Sequence, residues 1–406
     1  MTPMSKEYPF AKRTDWEMTQ NELISQLDEA RKSGKDIIDL TESNPTRCQF
    51  SYPKEKILKK LSAAQNILYD PSPRGNLSAR QAIAQYYKNK HWNVSPGQIF
   101  LSASTSEAYT FLFRLLTNPG ERVLFPRPSY PLFEFLVGLN DIKMDTYPLV
   151  YHHRNGLGQW SLDLDALRQE IQSTTKAIVL VNPNNPTGSF IKKHELEELN
   201  KICAEYNIAL ISDEVFMDYS FQKNNSKAVS LVENHKVLTF TMGGLSKTLA
   251  LPQMKLSWII VNGPEQIVSQ ASERLEIILD TYLSVNTPVQ NALDEWLALQ
   301  PEINKNILDR VMANRQFLVE QIRDFPACEF LEAEGGWYAI IQLPPERTEE
   351  TWILDFLNED HVFVHPGYFF DFLEEPYIVV SLLPPVGQFQ TGIRRVLMRI
   401  RSTVNA

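Results

Sequence analysis

Residues 177–188 read Ala-Ile-Val-Leu-Val-Asn-Pro-Asn-Asn-Pro-Thr-Gly, five apolar residues running without polar alternation into an Asn/Pro/Gly turn. A short β-branched run closed by turn formers is the pattern of a strand buried on both faces. The arrangement recurs at Ile99–Ser102, Arg122–Phe125, Ala209–Ser212, Val237–Thr241 and Leu256–Val261, with longer segments of helical period between the runs. Strands alternating with helices predict an α/β fold, a three-layer arrangement around a mainly parallel sheet.

The ends of the chain differ in texture. Residues 1–38 are mostly charged, and Leu23, Leu27 and Ala30 share one face of a helix expected over Asn21–Ser33. Pro264–Leu299 keeps a helical period throughout. From Pro301 to Ala406, helical stretches (Asn304–Phe325, Glu349–Asn358) alternate with short strands (Trp337–Leu343, Val362–His365, Tyr377–Leu382). This predicts a large domain over residues 53–283 and a smaller α+β domain assembled from both termini, with residues 1–52 as its N-terminal part and residues 284–406 as an interdomain helix and its C-terminal part.

A length of 406 residues allows such a division, and 43% hydrophobic with 22% charged residues is an ordinary globular mixture. Forty Lys and Arg against 49 Asp and Glu leave a net charge of −9, which repels polyanions and argues against a nucleic-acid partner. Cys48, Cys203 and Cys328 are too few and too scattered for a disulfide framework or a zinc site, so no metal is expected. No apolar stretch has the length of a signal peptide or a membrane span, which predicts a cytoplasmic protein without a membrane partner. Gly156-Leu157-Gly158, with no strand predicted before it, is not a dinucleotide fingerprint, and His194-Glu195 lacks the second histidine of a zinc-protease helix.

Three features follow predicted strands. They are the Asn182–Gly188 turn, the carboxylate pair in Ser212-Asp213-Glu214, and a glycine-rich turn carrying a lysine, Gly243-Gly244-Leu245-Ser246-Lys247. Separately, these residues read as a turn capper, a helix cap or metal ligand, and a solvated charge. Together they belong in one crevice, because ligands of open α/β sheets sit beyond the carboxyl ends of the strands. A lysine of lowered pKa, a carboxylate and an amide donor are what a pyridine-aldehyde cofactor needs.

Asn184-Asn185-Pro186-Thr187-Gly188, Ser212-Asp213-Glu214-Val215 and Ser246-Lys247-Thr248 with Pro252 resemble, in order and spacing, the class I/II aminotransferases of pyridoxal-phosphate fold type I. The likeness runs from about Asp39 to Leu397. It implies pyridoxal 5′-phosphate as cofactor, with a small-molecule amino donor and an oxo-acid or aldehyde acceptor as substrates. Lys247 would be the Schiff-base residue and proton shuttle, Asp213 the partner of the pyridinium nitrogen, and Asn185 the donor to the phenolic oxygen. Tyr130 would stack on the ring, and Ser104, Thr105, Ser106, Ser246 and Lys255 would hold the phosphate. Tyr69 would reach across a homodimer with shared active sites. Asn44, Arg74 and Trp337 are the candidate substrate residues. The same chemistry leaves open a lyase or racemase, and the fold leaves open a non-catalytic ligand-binding homologue.

Four positions depart from the family pattern. Lys255 stands in place of an arginine, which keeps the charge and loses the bidentate fork. Gly244 replaces a serine, and Phe216 a tyrosine that donates to the phenolic oxygen. Val379 replaces the arginine that clamps the substrate carboxylate. Either the substrate lacks that carboxylate, or another cation holds it. Arg74, five residues after Tyr69, is the expected replacement, with Arg127 behind it.

Overall fold

The computed structural model describes residues 8–19, 21–154, 157–221, 226–283, 285–323, 325–374 and 376–404. The large sheet has eight strands, β1 (Ile99–Ser102), β2 (Arg122–Arg127), β3 (Lys143–Arg154), β4 (Leu157–Leu162), β5 (Thr175–Val181), β6 (Ala209–Asp213), β7 (Thr239–Gly244) and β8 (Ser257–Asn262). Their spatial order is β1-β8-β7-β6-β5-β2-β3-β4. The pairs from β7 through β6, β5 and β2 to β3 are parallel, while β8 runs antiparallel to both its neighbours and β4 to β3. Every residue of β1, β6, β7 and β8 is buried, polar ones such as Thr239, Thr241 and Ser212 included, as strands covered on both faces require.

Two expectations change at this level. The hairpin β3–β4 was not predicted, because its residues alternate apolar with polar at an edge and never form a buried run. A strand therefore precedes the Gly156-Leu157-Gly158 segment, of which Gly156 lies outside the described residues, and β4, which begins at Leu157, pairs antiparallel with that strand. The other change concerns Gly243-Gly244, expected as a turn, which are the last residues of β7 and pair with Trp258 and Ser257 of β8. A Cβ on Gly243 would lie 2.6 Å from the Trp258 indole, so the glycine lets that ring lie flat on the sheet.

The smaller layer is a four-stranded antiparallel sheet of Glu329–Leu331, Tyr338–Gln342, Tyr377–Ser381 and His365–Pro366, in that order. The N-terminal segment joins it, since Ile38–Asp39 pairs in parallel with Val362–Phe363. Asn21 caps the helix Glu22–Lys32 and turns Leu23, Leu27 and Ala30 inward. Helices Glu265–Tyr282, Thr287–Leu297 and Gln300–Arg323 connect the two sheets, and Val386–Val404 closes the described chain. Among the described residues no helix is long and apolar enough to cross a membrane, and no His/Cys/Asp/Glu cluster has metal-binding geometry. The three cysteines are buried free thiols, each pushed up to about 12 by desolvation.

Candidate active site

Parallel pairing aligns the ends of β5, β6 and β7: Val181 lies opposite Asp213, and Asp213 opposite Met242. The turn after β5 therefore delivers Asn185, the end of β6 Asp213, and the single helical turn Leu245–Thr248 after β7 delivers Lys247. All three side chains line one cavity of about 210 Å³. Thr105 and Ser106, the first residues of the helix Thr105–Leu116, line it too, and so does the half-exposed Tyr130.

Electrostatics follow from burial. Desolvation raises the Asp213 carboxyl from 3.8 to about 6, against the pull of the Val215 N–H, the Tyr109 hydroxyl and Lys247. Desolvation also lowers the Lys247 ammonium from 10.5 to about 8, with Asp213 opposing. The Lys247 amine sits 4.6 Å from the Trp337 ring centroid and 5.1 Å from that of Phe216. Desolvation outweighs the carboxylate and the two ring faces, which favour the ammonium, so Lys247 is neutral far more often near neutral pH than a solvated lysine, as a nucleophilic amine must be.

Not every predicted residue lines the cavity. Ser104 is the N-cap of the helix Thr105–Leu116 and accepts the Glu107 N–H, so its hydroxyl is engaged locally. Ser246 is on the Lys247 turn, and exposed Lys255 closes the 3-10 turn Pro252–Met254 in left-handed backbone at φ 50°; neither lines the cavity. Asn44 accepts from the Thr46 N–H and hydroxyl in a local Asx turn, and its neighbour Ser43 lines the cavity instead. Trp337 is fully buried behind Lys247, and the lining residue beside it is Tyr338. Tyr69 is 71% exposed and does not line its own chain's cavity.

Arg74, the expected carboxylate clamp, does not line the cavity of its own chain. Its Nε donates to Glu276 at 2.7 Å, its Nη1 donates to the Gly97 carbonyl at 2.8 Å, and the guanidinium rests on the Phe100 ring. These contacts hold it as a structural cation outside the cavity. Arg127, likewise outside it, donates from Nε to the Asp371 carbonyl.

Sequence reasoning missed Tyr109, whose hydroxyl donates to Asp213 Oδ2 at 3.2 Å. Helical spacing could have found it, since Tyr109 lies four residues after Thr105 and shares its face. It also missed the apolar wall of Leu132, Phe133 and Leu136, supplied by the helix Phe133–Leu139 and its N-cap.

A lysine, a carboxylate and an amide meeting at the strand ends of an α/β sheet form the kind of site a pyridine-aldehyde cofactor requires. The family described as aminotransferase class I and II matches residues 35–382, and the chain belongs to that family. It is 27% identical over 375 residues to the glutamate–pyruvate aminotransferase AlaA of Haemophilus influenzae, covering 90% of this chain and 91% of that protein. Its fold matches the alanine aminotransferase of Pyrococcus furiosus with a TM-score of 0.87 at 26% identity, over 97% of this chain and all of that one. The aspartate aminotransferase of Thermotoga maritima shares the fold at 20% identity, with a TM-score of 0.81 over 98% of this chain and 100% of that one.

Pyridoxal phosphate is the cofactor of this family, and the residues present fit it. Asn185 lines the cavity, where the N–H of its side-chain amide can donate to a ring oxygen. Asp213 offers a buried carboxylate to a ring nitrogen, and the N–H groups at the start of the helix Thr105–Leu116 suit a phosphate.

Proposed function

We propose that this pyridoxal-phosphate-dependent aminotransferase moves an amino group between a small-molecule amino donor and an oxo-acid or aldehyde acceptor, with Lys247 as the residue that carries the cofactor and relays the proton. The observation that carries this reading is the meeting of Lys247 and Asp213 in one buried cavity at the aligned ends of neighbouring strands. When bound, the cofactor supplies an electron sink for the carbon that bears the amino group.

Around it, Asp213 holds negative charge where a pyridine nitrogen would lie, and Tyr109 keeps that carboxylate oriented. Asn185 and Tyr130 fix the ring plane. Lys247, once released, accepts and returns the proton at its Nζ, and its lowered pKa lets it serve in both directions. The apolar wall Leu132–Leu136 and the rings of Phe216 and Tyr338 exclude water from that amine.

On the substrate side, Lys247 is the only cation among the described lining residues. Val379 is buried between Ile340 and His365 in the small sheet, and desolvation pushes His365 down to about 4, so that imidazole is neutral. With Arg74 tied to Glu276, these facts favour a donor without a carboxylate on the reacting carbon, such as an amine or an amino-aldehyde. A second reading, an α-amino acid and a 2-oxo acid, is favoured by the glutamate–pyruvate activity named for the Haemophilus relative.

A half-reaction screen decides between them. Purified holoenzyme is mixed with single donors from both classes while the cofactor's visible spectrum is followed. Stoichiometric conversion of the cofactor to its amine form supports transamination, whereas elimination or racemisation without conversion refutes it. Faster conversion by alanine or glutamate than by any simple amine refutes the carboxylate-free reading.

A homodimer with shared sites is part of this proposal. Ile67, Leu68, Tyr69, Ile277 and Leu283 are all more than 60% exposed, and Tyr69, Leu279 and Leu283 border one groove. Such a surface suits a second copy, which would receive Tyr69. We also read residues 53–283 as the cofactor domain and 1–52 with 284–406 as the smaller one, in a cytoplasmic protein whose buried thiols stay reduced.

A further inference from the structure

Two segments that border the site come from different sheets. The turn after β5, residues 184–190, carries Asn185, and residues 334–338 lead into the small sheet carrying Trp337 and Tyr338. They touch backbone to backbone. The Glu334 N–H donates to the Gly188 carbonyl at 3.2 Å, and Gly336 donates to Tyr219, whose hydroxyl donates in turn to the Lys247 carbonyl at 2.7 Å. Gly188 has φ 67°, and a Cβ there would collide with the Gly335 carbonyl, so this approach requires glycine.

The Glu334 side chain spans the same seam. Its Oε2 accepts the Phe190 N–H at 3.0 Å and the Lys192 ammonium at 2.6 Å, and its Oε1 lies 3.7 Å from the Lys227 ammonium. Both lysine side chains are at most 3% exposed, and Lys227 also lies over the Phe190 ring. Two buried cations converging on one carboxylate hold it far more tightly than a surface pair would. None of the three residues lines the cavity, and the cofactor chemistry uses none of them.

We propose that Glu334 is a positioning residue of the site: held by Lys192, Lys227 and the Phe190 amide, it fixes the Asn185 turn against the Trp337–Tyr338 wall and so sets the spacing across Lys247. The inference rests on the reading of Asn185 and Lys247 as cofactor-holding residues. Its chemical basis is that a reacting group displaced by about 1 Å from its attack geometry loses on the order of 100-fold in rate.

The test uses cofactor-loaded full-length enzyme with Glu334→Ala and Glu334→Gln. Hydrogen–deuterium exchange is read at residues 186–192 and 334–338, and the saturating half-reaction rate is measured with L-alanine and with n-butylamine. In Glu334→Ala, exchange rises in both segments together. The saturating rate falls about 10- to 100-fold, while the half-saturating donor concentration shifts by less than about threefold. Glu334→Gln lies between wild type and alanine, because its amide oxygen still accepts from Phe190 and Lys192. Exchange rising in one segment alone, or a wild-type saturating rate in the alanine variant, overturns the proposal. Should Glu334→Ala fail to fold, Glu334→Gln decides: coupled exchange with a reduced rate supports the latch, and wild-type values in both refute it. If neither donor converts the wild-type cofactor, the transamination reading fails with these donors, while the exchange result still judges the latch.

Discussion

Replacing Asp213 with asparagine should make the cofactor-free protein more stable and the cofactor-loaded protein less responsive to its cofactor. Asparagine matches the carboxylate in shape and can keep both local contacts, accepting the Val215 N–H and meeting the Tyr109 hydroxyl. The substitution removes only the buried charge. Burial raises the folded-state pKa of Asp213 from 3.8 to about 6, a difference of about two units. At about 1.4 kcal/mol per unit, this is a penalty of about 3 kcal/mol once the group ionises.

Because the folded pKa lies above the unfolded one, the stability linked to this carboxyl is fully present below pH 3.8 and lost as pH rises through about 6. Asp213→Asn should therefore match wild type near pH 4 and gain progressively up to about pH 7. The attraction of Lys247 is already contained in the value of about 6, so the expected gain at pH 7 is about 3 kcal/mol. An unfolding entropy of roughly 2 cal/mol/K per residue over a chain of this size converts each kcal/mol to about 1 °C. Calorimetry of cofactor-stripped wild type and variant at pH 4.5, 6 and 7.5, each with and without added pyridoxal phosphate, reads the effect. A cofactor-free variant that melts below wild type at pH 7.5, or a gain independent of pH, refutes the reasoning. So does equal stabilisation of both proteins by the cofactor, since Asp213 would then contribute nothing to holding it.

Three further outcomes follow from particular contacts. Phe216→Tyr places a hydroxyl on the ring that lies 5.1 Å from the Lys247 amine. A hydrogen bond to the cofactor's charged oxygen, worth about 1.5–3 kcal/mol, should lower the pKa read from the bound cofactor's visible spectrum by about 1–2 units; an unshifted titration, or a wild type already unprotonated at neutral pH, contradicts it. Arg74→Ala should leave half-reaction rates within about threefold of wild type with every donor while lowering the melting temperature, because its partners are Glu276, Gly97 and Phe100. A selective loss of rate with carboxylate-bearing donors would restore Arg74 as their clamp. Gly243→Ala should cost about 1–3 kcal/mol by forcing a methyl group against the Trp258 indole, read as a lower melting temperature.

Legibility tracked the range of the interactions involved. The buried strands were readable because a run such as Ala209–Ser212 carries its environment in its own composition. Asn185, Asp213 and Lys247 were readable as neighbours because each lies at the end of such a run or within four residues of it, so parallel pairing had to bring them together. The edge hairpin β3–β4 was not, since half-exposed alternation looks like a loop in one dimension. Ser104 and Asn44 have the right residue type for ligand contact, yet both side chains are engaged by backbone groups within three residues.

The chain's own order of residues thus determined the α/β class, the strand ends and the three polar groups that meet in the cavity, because these depend on local hydrophobic runs and on the residues at or soon after the end of each run. Only the tertiary structure decided the partners of charges. It gave Arg74 to Glu276, 202 positions away, tied Glu334 to Lys192 across the seam between the sheets, and set Tyr109 on Asp213. A charged or hydroxyl side chain has no preferred neighbour in sequence, and burial leaves it stable only where a distant element happens to supply the complementary group.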